Sequence, residues 1–415
     1  MKFIHFGCWN NIYCNKPKYN FRDIVLDYIK EYENDFEMII VSGDNWYSNE
    51  YVDKEDGKTY KMYFTNMLFS GLYKLYSLNV PCHIIPGNHD EDNDNDSDSA
   101  TLKENCMLNT EKFFIDLINN NQNLTVLPTL EDLQKLNIPN NTLSNLTNYS
   151  KSVTPNNETM LYLHESKLNI SIKKLHNTLF VFINTNIFES QIKDLEYIDN
   201  YIDKIDKKIR KNKKDVIFVV GHVPITSLSV KHSSTKITEM CNEISVVQRF
   251  IAVLNKYNAI YLCADTHNFQ ITNINNITQV VVGTGSAEPD LLDPNPNIID
   301  YTFLDYNVTG YYHNSFGYSV INVDSNGVSI TYKHIIDIDN NLVNKQYTYI
   351  VVDKKVQNAS YLPQLSETFK QTIIHNNSVK KELCENDLLP EMLIKSSYKD
   401  NKAKNIYCYR KLKTK

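Results

Sequence analysis

Nothing in the 415 residues approaches the unbroken apolar length that a membrane-spanning helix requires. Neither sign of charge dominates: 43 lysines and arginines face 49 aspartates and glutamates, a net charge of −6. That balance gives no global pull toward nucleic acid or an anionic membrane, and neither partner is expected. Paired cysteines are also missing. Cys8, Cys14, Cys82, Cys106, Cys241, Cys263, Cys384 and Cys408 are scattered, with no CxxC pair. This excludes a small disulfide scaffold and suits free thiols in a reducing compartment. The N-terminus lacks a signal-peptide pattern, because Met1-Lys2 leads directly into the strand-like Phe3-Ile4-His5-Phe6 and then Gly7. An intracellular protein is therefore expected. Sequons such as Asn123-Leu124-Thr125 and Asn145-Leu146-Thr147 read as chance matches in an Asn-rich chain.

What is present is an ordinary globular composition, 42% hydrophobic and 22% charged, with enough chain for a sizeable core. Short apolar runs recur at Phe3–Phe6, Met38–Val41, His83–Ile85, Leu179–Ile183, Val216–Val220, Ile260–Cys263 and Val280–Val282. Runs of this length suit strands buried on both faces. Helical patterns lie between some of them. Phe21, Ile24, Val25, Tyr28 and Ile29 follow helical spacing, and Met62–Tyr76 and Ile192–Ile209 read as further helices. Strands alternating with helices predict a layered α/β core, with the active site in loops beyond the carboxyl ends of the strands.

Two regions depart from this pattern. Asp90–Ser99 is an acidic run, followed by an Asn/Thr/Ser-rich stretch to about Thr159 with a helix expected near Glu111–Asn119. An EF-hand loop needs Gly at its sixth position and Glu at its twelfth, and starting at Asp90 those positions hold Asn95 and Thr101. A solvated acidic loop is the expectation. The second region is the tail from about Asp353, with a helical pattern near Leu365–Ile374 and a basic end.

Five segments each follow an apolar run and carry chemistry: Gly7-Cys8-Trp9-Asn10, Gly43-Asp44-Asn45-Trp46-Tyr47, Gly87-Asn88-His89-Asp90, Val219-Val220-Gly221-His222 and Ala264-Asp265-Thr266-His267. Together they supply carboxylate, amide, imidazole, phenol and thiol. Carboxylates suit hard cations and imidazole suits Zn and Fe. A bridging carboxylate with His and Asn neighbours can hold two cations about 3.5–4 Å apart, a pair that promotes phosphate ester hydrolysis. Taken singly, each segment is an ordinary turn; it is their order that carries information.

That order and spacing resemble the motif set of the purple acid phosphatases, especially the tartrate-resistant type, a branch of the calcineurin-like metallophosphoesterases. That family reads Gly-Asp-Trp-Gly, Gly-Asp-x-x-Tyr, Gly-Asn-His-Asp/Glu, Val-x-x-His and Gly-His-x-His. Asn268-Phe269-Gln270 and Gly283-Thr284-Gly285 are similar as well. The resemblance covers about residues 1–335, with the insertion at about 91–159 and the extension 336–415 outside it. It implies a four-layer αββα sandwich of two mixed sheets with flanking helices. It also implies two metal ions (Zn, Mn or Fe) and a phosphate-ester substrate. One metal would be held by Cys8, Asp44, Tyr47 and His267, the other by Asp44, Asn88, His222 and Asp265. Asp44 would bridge, and His89 would be the general acid. Cys8 and Asp265 depart from the family's Asp and His. Both keep a donor atom, thiolate favouring softer cations such as Zn. The alternative is a degenerate member in which Cys8 is a small buried hydrophobe, Asp265 a turn residue, and the fold serves as a binding scaffold.

Overall fold

The computed structural model of the chain describes residues 1–11, 21–52, 59–63, 65–90, 100–120, 160–164, 170–189, 195–231, 234–287, 289–292, 297–325, 327–338, 341–352, 355–358 and 392–395. Most of the acidic run, the Asn-rich stretch, the Leu365–Ile374 pattern and the basic end lie outside the described residues.

Two eight-stranded mixed sheets form the centre. The first contains β1 (Lys2–Phe6), β2 (Met38–Ser42), β5 (Cys82–Ile85), β6 (Leu161–Leu163), β17 (Phe316–Asp324), β18 (Gly327–Ile338), β19 (Asn341–Val352) and β20 (Lys355–Asn358). Its spatial order is β20-β19-β18-β17-β1-β2-β5-β6. β1, β2, β5 and β6 run parallel, and β17 joins β1 antiparallel with His5 opposite Ser319. The second sheet contains β7 (Ser171–Leu175), β8 (Thr178–Phe182), β9 (Val216–Val220), β12 (Ile260–Cys263), β13 (Phe269–Ile274), β14 (Ile277–Val282), β15 (Ile298–Phe303) and β16 (Tyr306–His313). Its order is β15-β16-β13-β14-β12-β9-β8-β7, parallel from β14 to β8. A hairpin of β10 (Thr226–Lys231) and β11 (Ser234–Glu239) and a small sheet of β3 (Ser48–Val52), β4 (Thr59–Tyr63) and β21 (Met392–Lys395) complete the strands.

The sheets face each other through apolar side chains. Phe3 meets the Phe180 and Phe218 rings edge-on at 5.2 Å, and Phe269 stacks on Tyr332 at 4.2 Å. Outside the first sheet lie helices α1 (Phe21–Tyr32), α2 (Thr65–Ser77) and α3 (Ala100–Asn120); Ile24, Tyr28, Leu68, Leu72, Phe114 and Ile118 are buried there. Outside the second lie α4 (Asn186–Glu189), α5 (Leu195–Asn212) and α6 (Ile244–Lys256). The apolar stripe of α5, Ile198, Tyr201, Ile202, Ile205 and Ile209, packs with Val246, Phe250 and Leu254 of α6 over Val181 and Val219. Alternation explains this: Phe180 and Phe182 face one core, Leu179 and Val181 the other. The architecture is the expected four-layer α/β sandwich. Three helices differ in extent from the expectation: α2 begins at Thr65 while Met62 and Tyr63 belong to β4, α3 begins at Ala100, well before Glu111, and α5 runs on to Asn212. No helix among the described residues is long and apolar enough to cross a membrane.

Candidate metal centre

The parallel strands of both sheets end at one rim, and backbone hydrogen bonds stitch the loops that follow. Gly7 N donates to Val282 O at 2.8 Å, Cys8 N to Gly43 O at 3.0 Å, and Ala264 N to His222 O at 2.8 Å. Ser286 and Ala287 both donate to Cys8 O at 3.0 Å. All five sequence segments are thereby brought together. The packing is close enough to require glycine at position 87, where a Cβ would overlap the Asp44 backbone N and carboxylate.

Three candidate ligands sit in left-handed backbone conformation: Cys8 at φ 50°, Asp44 at φ 55° and Asp265 at φ 56°. Asp tolerates this region through local hydrogen bonding, but Cys rarely enters it. Each conformation directs a donor-bearing side chain inward from a strand end, at a backbone cost of order 1–3 kcal/mol apiece that the surrounding bonds must offset.

Asp44 is the hub and is almost wholly buried. Its two oxygens face different groups. Oδ2 accepts from Tyr47 Oη at 2.9 Å and from Cys8 Sγ at 3.6 Å. Donor atoms of Cys8, Asp44 and His267 all lie within 4.8 Å of one another. Oδ1 lies 3.2 Å from His222 Nε2 and accepts the His89 backbone N–H at 3.2 Å. The same Nε2 is 3.1 Å from Asn88 Oδ1 and 3.6 Å from Asp265 Oδ1. His222 Nδ1 is held 2.7 Å from Ser42 O, and a carbonyl can only accept, so Nδ1 carries a proton. In neutral His222 the Nε2 lone pair then confronts three oxygen acceptors. Such a cluster is complete only with a positive charge among its donors, either a proton or a metal ion, and an imidazole fixed through its other nitrogen on a backbone carbonyl is the usual arrangement of a metal-ligating histidine.

The electrostatics express the same shortage of positive charge. Burial opposes ionisation of Asp44, but His222, His89 and His267 outweigh it and hold the carboxyl far below the usual carboxylate range. Burial likewise disfavours His222 imidazolium, and Asp44 with Asp265 overrides it and raises the pKa well above the ordinary value. Burial, then Asp44 and Asp265, push the Cys8 thiol up; burial, then Asp44 and Cys8, do so for the Tyr47 phenol. His89, by contrast, is exposed, with its ring 4.7 Å from that of Tyr47. It stands at the mouth of the cluster, where a substrate would arrive.

Residues outside the sequence reading hold this arrangement. The buried Asp90 carboxylate accepts from Gly87 N at 2.7 Å, Asn45 N at 2.9 Å, Asn45 Nδ2 at 3.0 Å and Trp46 N at 3.2 Å. It clamps the Asp44 loop to the Asn88 loop. Thr185 Oγ1 accepts from the backbone of His222 and Val223 at 2.9 and 2.8 Å. Asp290 grips His267 reciprocally, its N–H donating to His267 O at 2.8 Å and its Oδ2 accepting from His267 N at 3.3 Å. The only available signal was for Asp90, as the fourth residue of Gly-Asn-His-Asp.

The sequence profile of the calcineurin-like phosphoesterase family matches residues 1–269, and the chain belongs to that family. No curated protein sequence matches it. Similar solved structures include GAP50, the anchor in the inner membrane complex of Plasmodium, at 13% identity over 80% of this chain and 84% of that one, TM-score 0.43. PhoD shows 11% identity over 94% of this chain and 76% of that one, TM-score 0.47. A putative 5'-nucleotidase from Staphylococcus aureus in complex with α-ketoglutarate shows 11% identity over 93% and 58%, TM-score 0.36.

Proposed function

We propose that the protein hydrolyses phosphate esters at a dinuclear metal centre of the purple acid phosphatase kind. The observation that carries this reading is His222, with Nδ1 on a backbone carbonyl and Nε2 facing Asp44, Asn88 and Asp265. Cys8, Tyr47, His267 and Asp44 Oδ2 would hold one ion; His222, Asn88, Asp265 and Asp44 Oδ1 would hold the other. When bound, such a pair withdraws charge from a phosphoryl oxygen and lowers the pKa of water. The chain's own residues do the rest. Asp44 keeps both halves in register, Asp90 fixes the two loops, and His89 at the mouth donates a proton to the leaving oxygen. A thiolate ligand at Cys8 favours Zn and an oxygen ligand at Asp265 suits Mn, so the pair of changes favours Zn or Mn over a ferric–ferrous pair. The test is hydrolysis of p-nitrophenyl phosphate by metal-free protein after addition of Zn, Mn or Fe. Restored turnover supports the reading; no turnover with any of them removes it. The second reading, a degenerate scaffold, is favoured by Cys8 and Asp265 in place of the family's Asp and His, and protein that binds no metal would bear it out.

A further inference from the structure

Helix α5 divides its charges between two sides. Asp199 and Asp203 pair with Arg249 of α6 at 2.6 and 2.7 Å, and Asp206 pairs with Lys256 at 2.6 Å. On the other side Lys204, Lys207, Lys208 and Lys211 recur at three- and four-residue spacing, which aligns them in one stripe. All four are exposed, and among the described residues no carboxylate pairs with them. Lys213 and Lys214 extend the positive charge beyond the helix end. Beneath the stripe is a groove of about 600 Å³ lined by these lysines, Asn212, Ile170 and Ile172. Its far wall is β7, the last strand of the second sheet, which among the described residues pairs only with β8.

An edge of β7 and four lysines that are both without partners among the described residues, over an isoleucine floor, together specify a ligand. We propose that this groove takes an acidic peptide from a partner protein, in extended conformation, paired through its main chain to the open edge of β7. Alternate side chains of an added strand point to opposite faces, so carboxylates turned to the α5 face meet the lysines above Ile172 while apolar residues turned to the other face lie beside Leu175 of β7. The lining contains no aromatic ring on which a single-stranded nucleic acid could stack, and its concave shape does not suit a flat bilayer surface. The chain's own acidic run, Asp90–Ser99, has no apolar residue for either face of an added strand and is mostly Asp and Asn, poor strand formers, with one Glu and two Ser. The inference is independent of the metal centre.

The experiment is fluorescence anisotropy on the full chain with a labelled peptide of alternating glutamate and valine long enough to span β7. Comparison probes are the same peptide N-methylated at alternate residues, polyglutamate, a single-stranded oligonucleotide and phosphatidylserine vesicles. Binding of the alternating peptide, weakened by salt, is expected. Lys204→Glu with Lys208→Glu and Lys211→Glu should reduce its affinity by about tenfold or more, because three attractive charge contacts become repulsive. N-methylation, which keeps charge but blocks main-chain pairing, should abolish it. No binding, equal binding of the N-methylated peptide, or tighter binding of polyglutamate, the oligonucleotide or vesicles would each overturn the proposal.

Discussion

At the scale of single residues, the chemistry concentrates in side chains held in costly positions. Cys8, Asp44 and Asp265 share left-handed backbone, and two of these three are where the chain departs from its family's motif. If the centre works with an altered metal preference, Cys8→Asp with Asp265→His should move binding from Zn or Mn toward Fe, measured by elemental analysis after competition among the three. An unchanged preference would show that neither side chain touches a metal. His89 gives a second test. Its side chain lies at the mouth and only its backbone N–H reaches Asp44. His89→Ala should therefore lower turnover by about 10²–10⁴ while leaving metal content intact, as removal of a general acid does. Loss of metal along with activity would assign it a different role. Asp44, Tyr47, Asn88, His89, His222 and His267 were legible in the sequence because each sits in a short motif directly after an apolar run. Thr185 and Asp290 were not. They bind backbone groups of His222 and His267, and backbone N–H groups carry no residue identity that a sequence could reveal.

At the scale of elements, the site depends on loops from different strands being locked together. Asp90 does this between the loops after β2 and β5. Asp90→Asn is nearly isosteric but turns an acceptor oxygen into an NH2 that faces N–H donors. A loss of about 1–3 kcal/mol for stranded buried donors is expected, read as a lower denaturation midpoint together with weaker metal binding. An unchanged midpoint would show that the clamp is not needed. The parallel strands β1, β2, β5, β9 and β12 were readable because burial on both faces leaves continuous apolar runs. The antiparallel strands were not. β15, β16, β18 and β19 mix Asn, Thr, Lys and Tyr with apolar residues, because one face or an edge is wetter. The start of α2 was misread for a related reason: Met62 and Tyr63 extend its apolar pattern backward, while hydrogen bonding with β3 places them in a hairpin.

At the scale of the whole molecule, the sandwich buries several neutral histidines. Burial lowers the pKa of His5, His83, His313 and His334 to about 3 and that of His164 to about 4, with His164 and Lys173 adding to the effect at His83, and His313 and Lys345 at His334. The unfolded chain binds these protons near pH 6.5 and the folded chain does not. Their contribution to stability is thus complete above about pH 6.5 and is lost progressively as pH falls toward 3. In metal-free protein His222 and Asp90 work in the opposite direction: burial opposes the His222 imidazolium but Asp44 and Asp265 override it and raise its pKa, and burial, then Asp44, raise Asp90 to about 8. The five outweigh the two, so the urea midpoint should be lower at pH 5 than at pH 7.5; equal midpoints would contradict the burial of neutral imidazoles. An enzyme on this scaffold is expected to work near neutral pH. The central claim, that loops from both sheets converge on Asp44 to hold two metal ions, is tested most directly by metal stoichiometry. Metal-free protein should be dialysed against Zn or Mn in turn, alongside Asp44→Ala, and bound metal counted by elemental analysis. Two ions per chain, falling to one or none in the variant, are expected for a carboxylate that bridges a metal pair; a natural chain that retains no metal, or a variant that retains as much as the natural chain, would contradict it.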